Sequence, residues 1–208
     1  IFNGFIRGDF QIFCLSQGIA NTYEAYGCDP DRLYVTPNGV RCDLFDFSPQ
    51  VIFADKSIYL AKIDYRKRQY LYQDLDSLFF AGGIADSRFQ NHSNYLGEWT
   101  KEYLYRYLTY YSNLVLLSDG EADPLVTKEA LGAGLGLVIS EYSTANLDLT
   151  KPFISVITED RIHDLNYVSN IIKLNREVSN SMRQEIHDYA LENFGWDKLV
   201  RRYERLIS

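Results

Sequence analysis

The sequence predicts an α/β protein: a doubly wound parallel sheet covered by helices, followed by a helical tail. Short apolar runs alternate with helical patterns along most of the chain, as successive strand–helix–strand crossovers require. The length of 208 residues fits one large domain of this class, or one domain with a piece of another. A composition of 46% hydrophobic and 24% charged residues excludes wholesale disorder.

Taken in order, residues 10–15 read as a buried strand, and 17–26 as a helix stopped at Gly27. Residues 33–36 form a second strand, closed by the turn signal Pro37-Asn38-Gly39. Further strands are expected at 57–61, 77–80, 93–96, 114–117, 137–140 and 153–157. Helices are expected at 68–75, 101–111, 124–133 and 162–172, then in the tail at 179–193 and 196–207 with a break at Gly195. The linker-like stretch is 41–56, which contains Ser48-Pro49. In such a sheet, right-handed crossovers place ligands at the carboxyl ends of the strands.

With 21 basic and 28 acidic residues the chain carries −7, which disfavours general nucleic-acid binding but leaves room for a local small-anion site. No apolar run approaches the roughly 18 residues of a membrane span, and no signal-peptide pattern is present. The chain begins at Ile1, so a fragment or processed chain is expected. Cys14, Cys28 and Cys42 are far apart, and His92, His163 and His187 are scattered, so no metal site is expected. The low cysteine count suits a reducing compartment. Tyr103, Tyr105, Tyr107, Tyr110 and Tyr111 crowd one helix with only Lys101 and Arg106 interleaved. That pattern predicts rings in the core with hydroxyls at the rim, rather than a nucleic-acid platform.

The chemistry concentrates in two stretches. Residues 118–134 follow a strand and open a helix, with Asp123 a good N-cap and Pro124 a good first helical residue. The N–H groups of Leu125 and Val126 would then be available to an anion. Glu121 in the loop and Glu129 in the helix can accept hydrogen bonds from sugar hydroxyls. A helix-start charge plus a solvated glutamate is the plainer reading of the same pair. In residues 59–69 a strand ends near Ala61, and Lys62, Arg66, Lys67 and Arg68 follow. Lys62 and Lys67 could neutralise a pyrophosphate as point charges; a solvated basic turn is the alternative.

The order of these pieces resembles the GT-B fold glycosyltransferases, specifically the large retaining family 4. Val35-Thr36-Pro37-Asn38-Gly39-Val40 with Phe45 matches its strand–turn signature, and 62–67 its basic loop. Leu78-Phe79-Phe80-Ala81-Gly82, Tyr95-Leu96-Gly97 with Lys101-Glu102-Tyr103-Leu104, and the glutamates Glu121 and Glu129 follow in the family's order. Residues 134–140 and Phe194-Gly195-Trp196 complete a resemblance that covers nearly the whole chain.

That resemblance implies a Rossmann-like donor domain that binds a nucleotide diphospho-sugar without a metal or other cofactor, and transfers the sugar with retention to a glycan or lipid-linked acceptor. It implies catalytic roles for Glu121 at the transferred sugar and for Lys67 and Lys62 at the diphosphate. Glu129 would bind the ribose, Leu125 and Val126 would offer backbone donors to the phosphates, and Tyr95 and Leu96 would lie near the base. Residues 1–48 are expected to be the last strand–helix–strand of an N-terminal acceptor domain or an accessory strand pair. Residues 49–194 would be the donor domain and 195–208 a returning helix. The rest of the acceptor domain would be supplied in cis or in trans. The expected setting is cytoplasmic, in polysaccharide biosynthesis, with peripheral association at the inner face of a membrane left open.

Several positions depart from the family pattern. Ala61-Lys62 replaces Gly-Arg, Ala122 a glycine, Gly136 a proline, and Ala145-Asn146 a glycine pair. Two other readings compete: a non-catalytic nucleotide-sugar-binding subunit or scaffold, and a GT-B epimerase, which the scarcity of histidines near the site disfavours.

Overall fold

A computed structural model describes residues 2–207. After α1 (Phe2–Arg7), β1 (Ile12–Cys14) and β2 (Leu33–Val35) pair in parallel around α2 (Gln17–Ala25). Ser16 caps α2 by accepting from the Ile19 N–H at 3.4 Å, and Gly27 leaves the helix at φ +90° as expected for a glycine stop. This pair of strands has its own small core of Ile6, Ile12, Cys14, Ala20 and Cys28.

The second sheet is wholly parallel. It comprises β3 (Phe53–Leu60), β4 (Leu78–Ala81), β5 (Tyr111–Leu116), β6 (Gly136–Ser140) and β7 (Ile154–Ile157), in the spatial order β4-β3-β5-β6-β7. Every residue of β5 and β6 is buried, which explains the apolar runs at 114–117 and 137–139. The chain therefore leaves β3 toward one edge and β5 toward the other, so the order reverses between these two strands. The carboxyl ends of β3 and β5 flank the crevice where such folds hold ligands.

Helix α3 (Lys101–Tyr107) precedes β5, and α4 (Leu125–Gly132) forms the crossover to β6. Helix α5 (Leu165–Ser181) packs across β3, β5, β6 and β7, while α6 (Arg183–Phe194) packs on α4. After Gly195, α7 (Trp196–Ile207) turns back to the first sheet, where the Tyr203 and Phe13 ring centroids lie 4.8 Å apart. The result is a Rossmann-like doubly wound sheet flanked by helices, with a helical tail.

Several elements differ from the sequence expectation. No helix forms at 68–75; two short 3-10 turns, Tyr65–Lys67 and Gln69–Leu71, replace it. Arg68 sits between them in the left-handed region at φ +58°, where a helix cannot continue. Gln69 turns inward to donate to the Lys62 carbonyl, and the Tyr72 hydroxyl donates to the Ile162 carbonyl. The strand expected at 93–96 contracts to one bridge, Tyr95 beside Phe80, along the outer edge of β4. Helix α5 starts at Leu165, where the Asp164 carboxylate accepts the Tyr167 N–H at 3.0 Å, and runs on to Ser181 without the expected break. The tyrosines are less buried than expected. Tyr111 is in the core, but Tyr103 is 47% exposed, and the rings of Trp99, Tyr103, Tyr107 and Tyr110 follow one another along α3.

Gly136 opens β6 where α5 presses on the sheet. A Cβ there would lie 2.9 Å from the Phe153 carbonyl oxygen and 3.0 Å from Asn175 Oδ1. The Ser179 hydroxyl can move aside, but the backbone at Phe153, just before β7, cannot. Gly136→Ala should destabilise the fold by about 1–3 kcal/mol, the range of core overpacking, read as a lower denaturant midpoint with unchanged slope. An unchanged midpoint would show that α5 is free to shift.

Candidate functional site

Loops at the carboxyl ends of β3, β4, β5 and β6 build the site. After β3, the Asp64 carboxylate accepts the N–H groups of Arg66 and Lys67, both at 3.1 Å, and so fixes the basic turn. The turn is then pinned to the loop after β5. Arg66 donates to the Gly120 carbonyl at 2.5 Å and to the Asp119 carboxylate at 3.2 Å, and its own carbonyl accepts the Asp119 N–H. The buried Tyr59 hydroxyl bridges the two loops, donating to the Lys67 carbonyl and accepting the Leu117 N–H at 2.8 Å. Burial pushes this phenol well above its ordinary pKa, so it stays a neutral hydrogen-bonding post.

Across this junction the Lys67 ammonium pairs with the Glu121 carboxylate. The same carboxylate oxygen accepts the Ser118 hydroxyl at 2.8 Å, and the Glu121 N–H donates to the Tyr142 carbonyl in the loop after β6. Beside this lies a cleft of about 520 Å³ whose walls include Lys62, Gly82, Trp99, Lys101, Val126 and Glu129. Glu129 is buried and paired with Lys101 at the start of α3. Gly82 adopts φ +141°, and a Cβ there would fall 2.0 Å from the Ala61 carbonyl, so only glycine lets the two loops close the cleft floor.

The predicted residues fall into three groups. Lys62, Val126 and Glu129 share the cleft. Lys67 and Glu121 meet each other beside it. Tyr95 does not line the cleft but donates its hydroxyl to the carbonyl of Gly82, which does, at 2.9 Å, and the exposed Leu96 lies on the outer edge of β4 without lining the cleft. Leu125 is exposed as the first residue of α4.

One expectation is corrected. Asp123 is not the side-chain cap of α4: Pro124 occupies the N-cap position, and the helix begins at Leu125. The Asp123 carboxylate is drawn instead to the Lys128 ammonium and to the Asn38 N–H at 2.6 Å. A fully buried lysine needs a counter-ion more than a helix needs a cap. Not foreseen were the pairing of Lys101 with Glu129, the bridging Tyr59 hydroxyl, and the bonds by which Arg66 of the basic turn holds the loop after β5. A lysine within the helix that opens at Leu125 was the one visible sign of the Asp123–Lys128 pair. Among the described residues, no three His, Cys, Asp or Glu side chains converge to hold a metal ion, and no helix is long and apolar enough to cross a membrane.

No protein-family model and no curated protein matches the sequence. Solved structures do. Anabaena HepE, solved in complex with UDP-glucose, is 14% identical and superposes with a TM-score of 0.78 over 99% of this chain and 65% of its own. A sucrose-phosphate synthase from Thermosynechococcus elongatus is 16% identical with a TM-score of 0.74, covering 97% of this chain and 58% of its own. The lipopolysaccharide outer core galactosyltransferase WaaB is 16% identical with a TM-score of 0.72, covering 95% and 61%. The chain thus spans less than two thirds of the length of these proteins. At such identities the likeness is one of fold, and the chain carries a Rossmann-like domain of the GT-B type.

Proposed function

We propose that this chain is the donor-binding portion of a glycosyltransferase that takes a sugar from a nucleotide diphospho-sugar. The observation that carries this reading is the meeting of Lys62, Val126 and Glu129 in one cleft beside the Lys67–Glu121 pair, at the point where the sheet order reverses. A cleft that holds Lys62, the start of a helix and Glu129, with Lys67 and Glu121 paired in the adjoining loops, suits a molecule that is anionic at one end and rich in hydroxyls at the other.

As the glycosidic bond breaks, negative charge grows on the departing diphosphate. Lys62, Lys67 and the first N–H groups of α4 are preorganised to stabilise it. Glu129 would hold the ribose hydroxyls and Glu121 the transferred sugar. In the retaining reading the leaving phosphate helps to deprotonate the acceptor hydroxyl, so no separate base is required of this chain and no metal is invoked. The acceptor, a glycan or lipid-linked sugar, would be held by a further N-terminal domain in cis or in trans. Polysaccharide assembly on the cytoplasmic side is the setting we infer.

A second reading, a non-catalytic nucleotide-sugar-binding subunit, is favoured by one observation. Both candidate carboxylates are already neutralised by lysines of the same chain.

Calorimetric titration with UDP, GDP, TDP and their common sugars tests the proposal, UDP first because HepE was solved with UDP-glucose. One nucleotide should bind, and Lys67→Ala and Glu129→Ala should each weaken it at least tenfold. Hydrolysis of the bound sugar nucleotide supports the transferase over the passive binder. Binding that neither substitution changes would move the donor elsewhere.

A further inference from the structure

Lys128 and Asp123 are both fully buried and form an ion pair in the interior. An apolar pair of similar volume is often as stable as a buried ion pair or more so, which leaves stability a poor account of this one. Burial draws the Lys128 pKa down against the pull of Asp123.

The polar pair adds reach that an apolar pair could not. The Asp123 carboxylate also accepts the Asn38 N–H at 2.6 Å, and the Asn38 amide returns a bond to the Asp123 carbonyl at 2.7 Å. The Lys128 ammonium also donates to the Ala145 carbonyl at 3.3 Å, in the loop after β6. One buried centre therefore ties together the turn after β2, the loop after β5 and the loop after β6. The last two are the loops that fix Glu121. One carries it, and the other accepts its N–H at the Tyr142 carbonyl. The loop after β6 is further joined to the first sheet, where Asn146 donates to the Leu15 carbonyl at 2.8 Å.

We propose that Lys128 and Asp123 are positioning residues that, through Asn38 and Ala145, hold the Glu121 loop in register with the first sheet. Their meaning for catalysis rests on the donor-site reading above; the mechanical role does not.

The test compares the double variant Asp123→Leu/Lys128→Met with Asn38→Ala, which leaves the ion pair in place. Thermal melting, hydrogen exchange and UDP-glucose titration are read on each. The double variant should melt as the wild type does or higher, while peptides covering 118–124 and 36–40 exchange at least tenfold faster and those of β5 and α5 do not change. UDP-glucose affinity should fall about tenfold with melting preserved, a combination that a purely structural pair would not produce. Asn38→Ala should speed exchange in the same two peptides, and it decides the matter if the double variant does not fold. Unchanged exchange in 118–124 overturns the proposal. If the wild type binds no nucleotide sugar, the donor reading fails, and the exchange result still decides the positioning role.

Discussion

Arg183→Met is expected to lower the stability of this fold by about 3–5 kcal/mol, because several buried oxygens lose a charged donor at roughly 1–3 kcal/mol each. For a chain of this size, that corresponds to a melting temperature lower by roughly 10 °C. Arg183 is 2% exposed at the start of α6, and none of its hydrogen-bond acceptors is a carboxylate. Burial alone draws its pKa down to about 10, so it remains cationic at neutral pH. Its charge is solvated by oxygens that lie far apart in the chain. Nε donates to the Ser48 carbonyl at 3.1 Å, and Nη1 to the Tyr111 carbonyl at 3.0 Å. Nη2 reaches the Thr109 carbonyl at 2.6 Å, the Thr109 hydroxyl at 2.9 Å and the Ala133 carbonyl at 3.3 Å.

The guanidinium thus fastens the stretch before β3, the turn before β5 and the end of α4 to one point. Methionine fills much of the volume but takes the guanidinium donors away from these buried oxygens, although the Thr109 hydroxyl still accepts the Ser48 N–H at 3.3 Å. Arg183→Lys should recover only part of the loss, because one ammonium cannot meet so many divergent acceptors. A melting temperature within about 2 °C of wild type for Arg183→Met would mean that water enters and replaces the guanidinium.

Arg183 also shows where sequence reading stops. The parallel strands were legible because burial on both sides writes them as apolar runs, as at 114–117 and 137–140. Local punctuation was legible at Gly27 and Gly195, where the chain leaves one helix or enters the next. The start of β3 was not. Asp55 and Lys56 look like linker, yet Phe53 already pairs with Tyr111 across an irregular register. The helix at 68–75 had suitable spacing, but long-range bonds from Gln69 and Tyr72 and the left-handed Arg68 outweighed local propensity. In the site, the residue types were legible and their roles came only with the resemblance. The pairings Lys67–Glu121, Lys101–Glu129 and Lys128–Asp123 depend on how loops meet, which no spacing encodes for partners as distant as the first two.

The Lys67–Glu121 pair leads to the second large effect: substitutions at its two ends should shift UDP affinity in opposite directions. In the free chain Glu121 occupies the Lys67 ammonium that the donor reading assigns to the diphosphate. The two side chains are only 22% and 15% exposed, so water screens the pair less than it would on the surface. An incoming diphosphate must share Lys67 with a carboxylate of its own sign. Lys67→Met removes the cation and leaves Glu121 facing the anion, which should weaken UDP about 100-fold or more, the scale of truncating one partner of a buried charge pair. Glu121→Gln keeps the shape and can still accept the Ser118 hydroxyl while removing the competing charge. UDP should then bind about tenfold tighter, or about 1.4 kcal/mol. UDP-glucose should not gain in step, because the carboxylate assigned to its sugar is gone. The ratio of the two affinities separates repulsion of phosphate from recognition of sugar. If Glu121→Gln weakens UDP itself, the carboxylate supports the diphosphate site and does not compete with it. If the ratio of UDP-glucose to UDP affinity is unchanged, Glu121 does not meet the sugar.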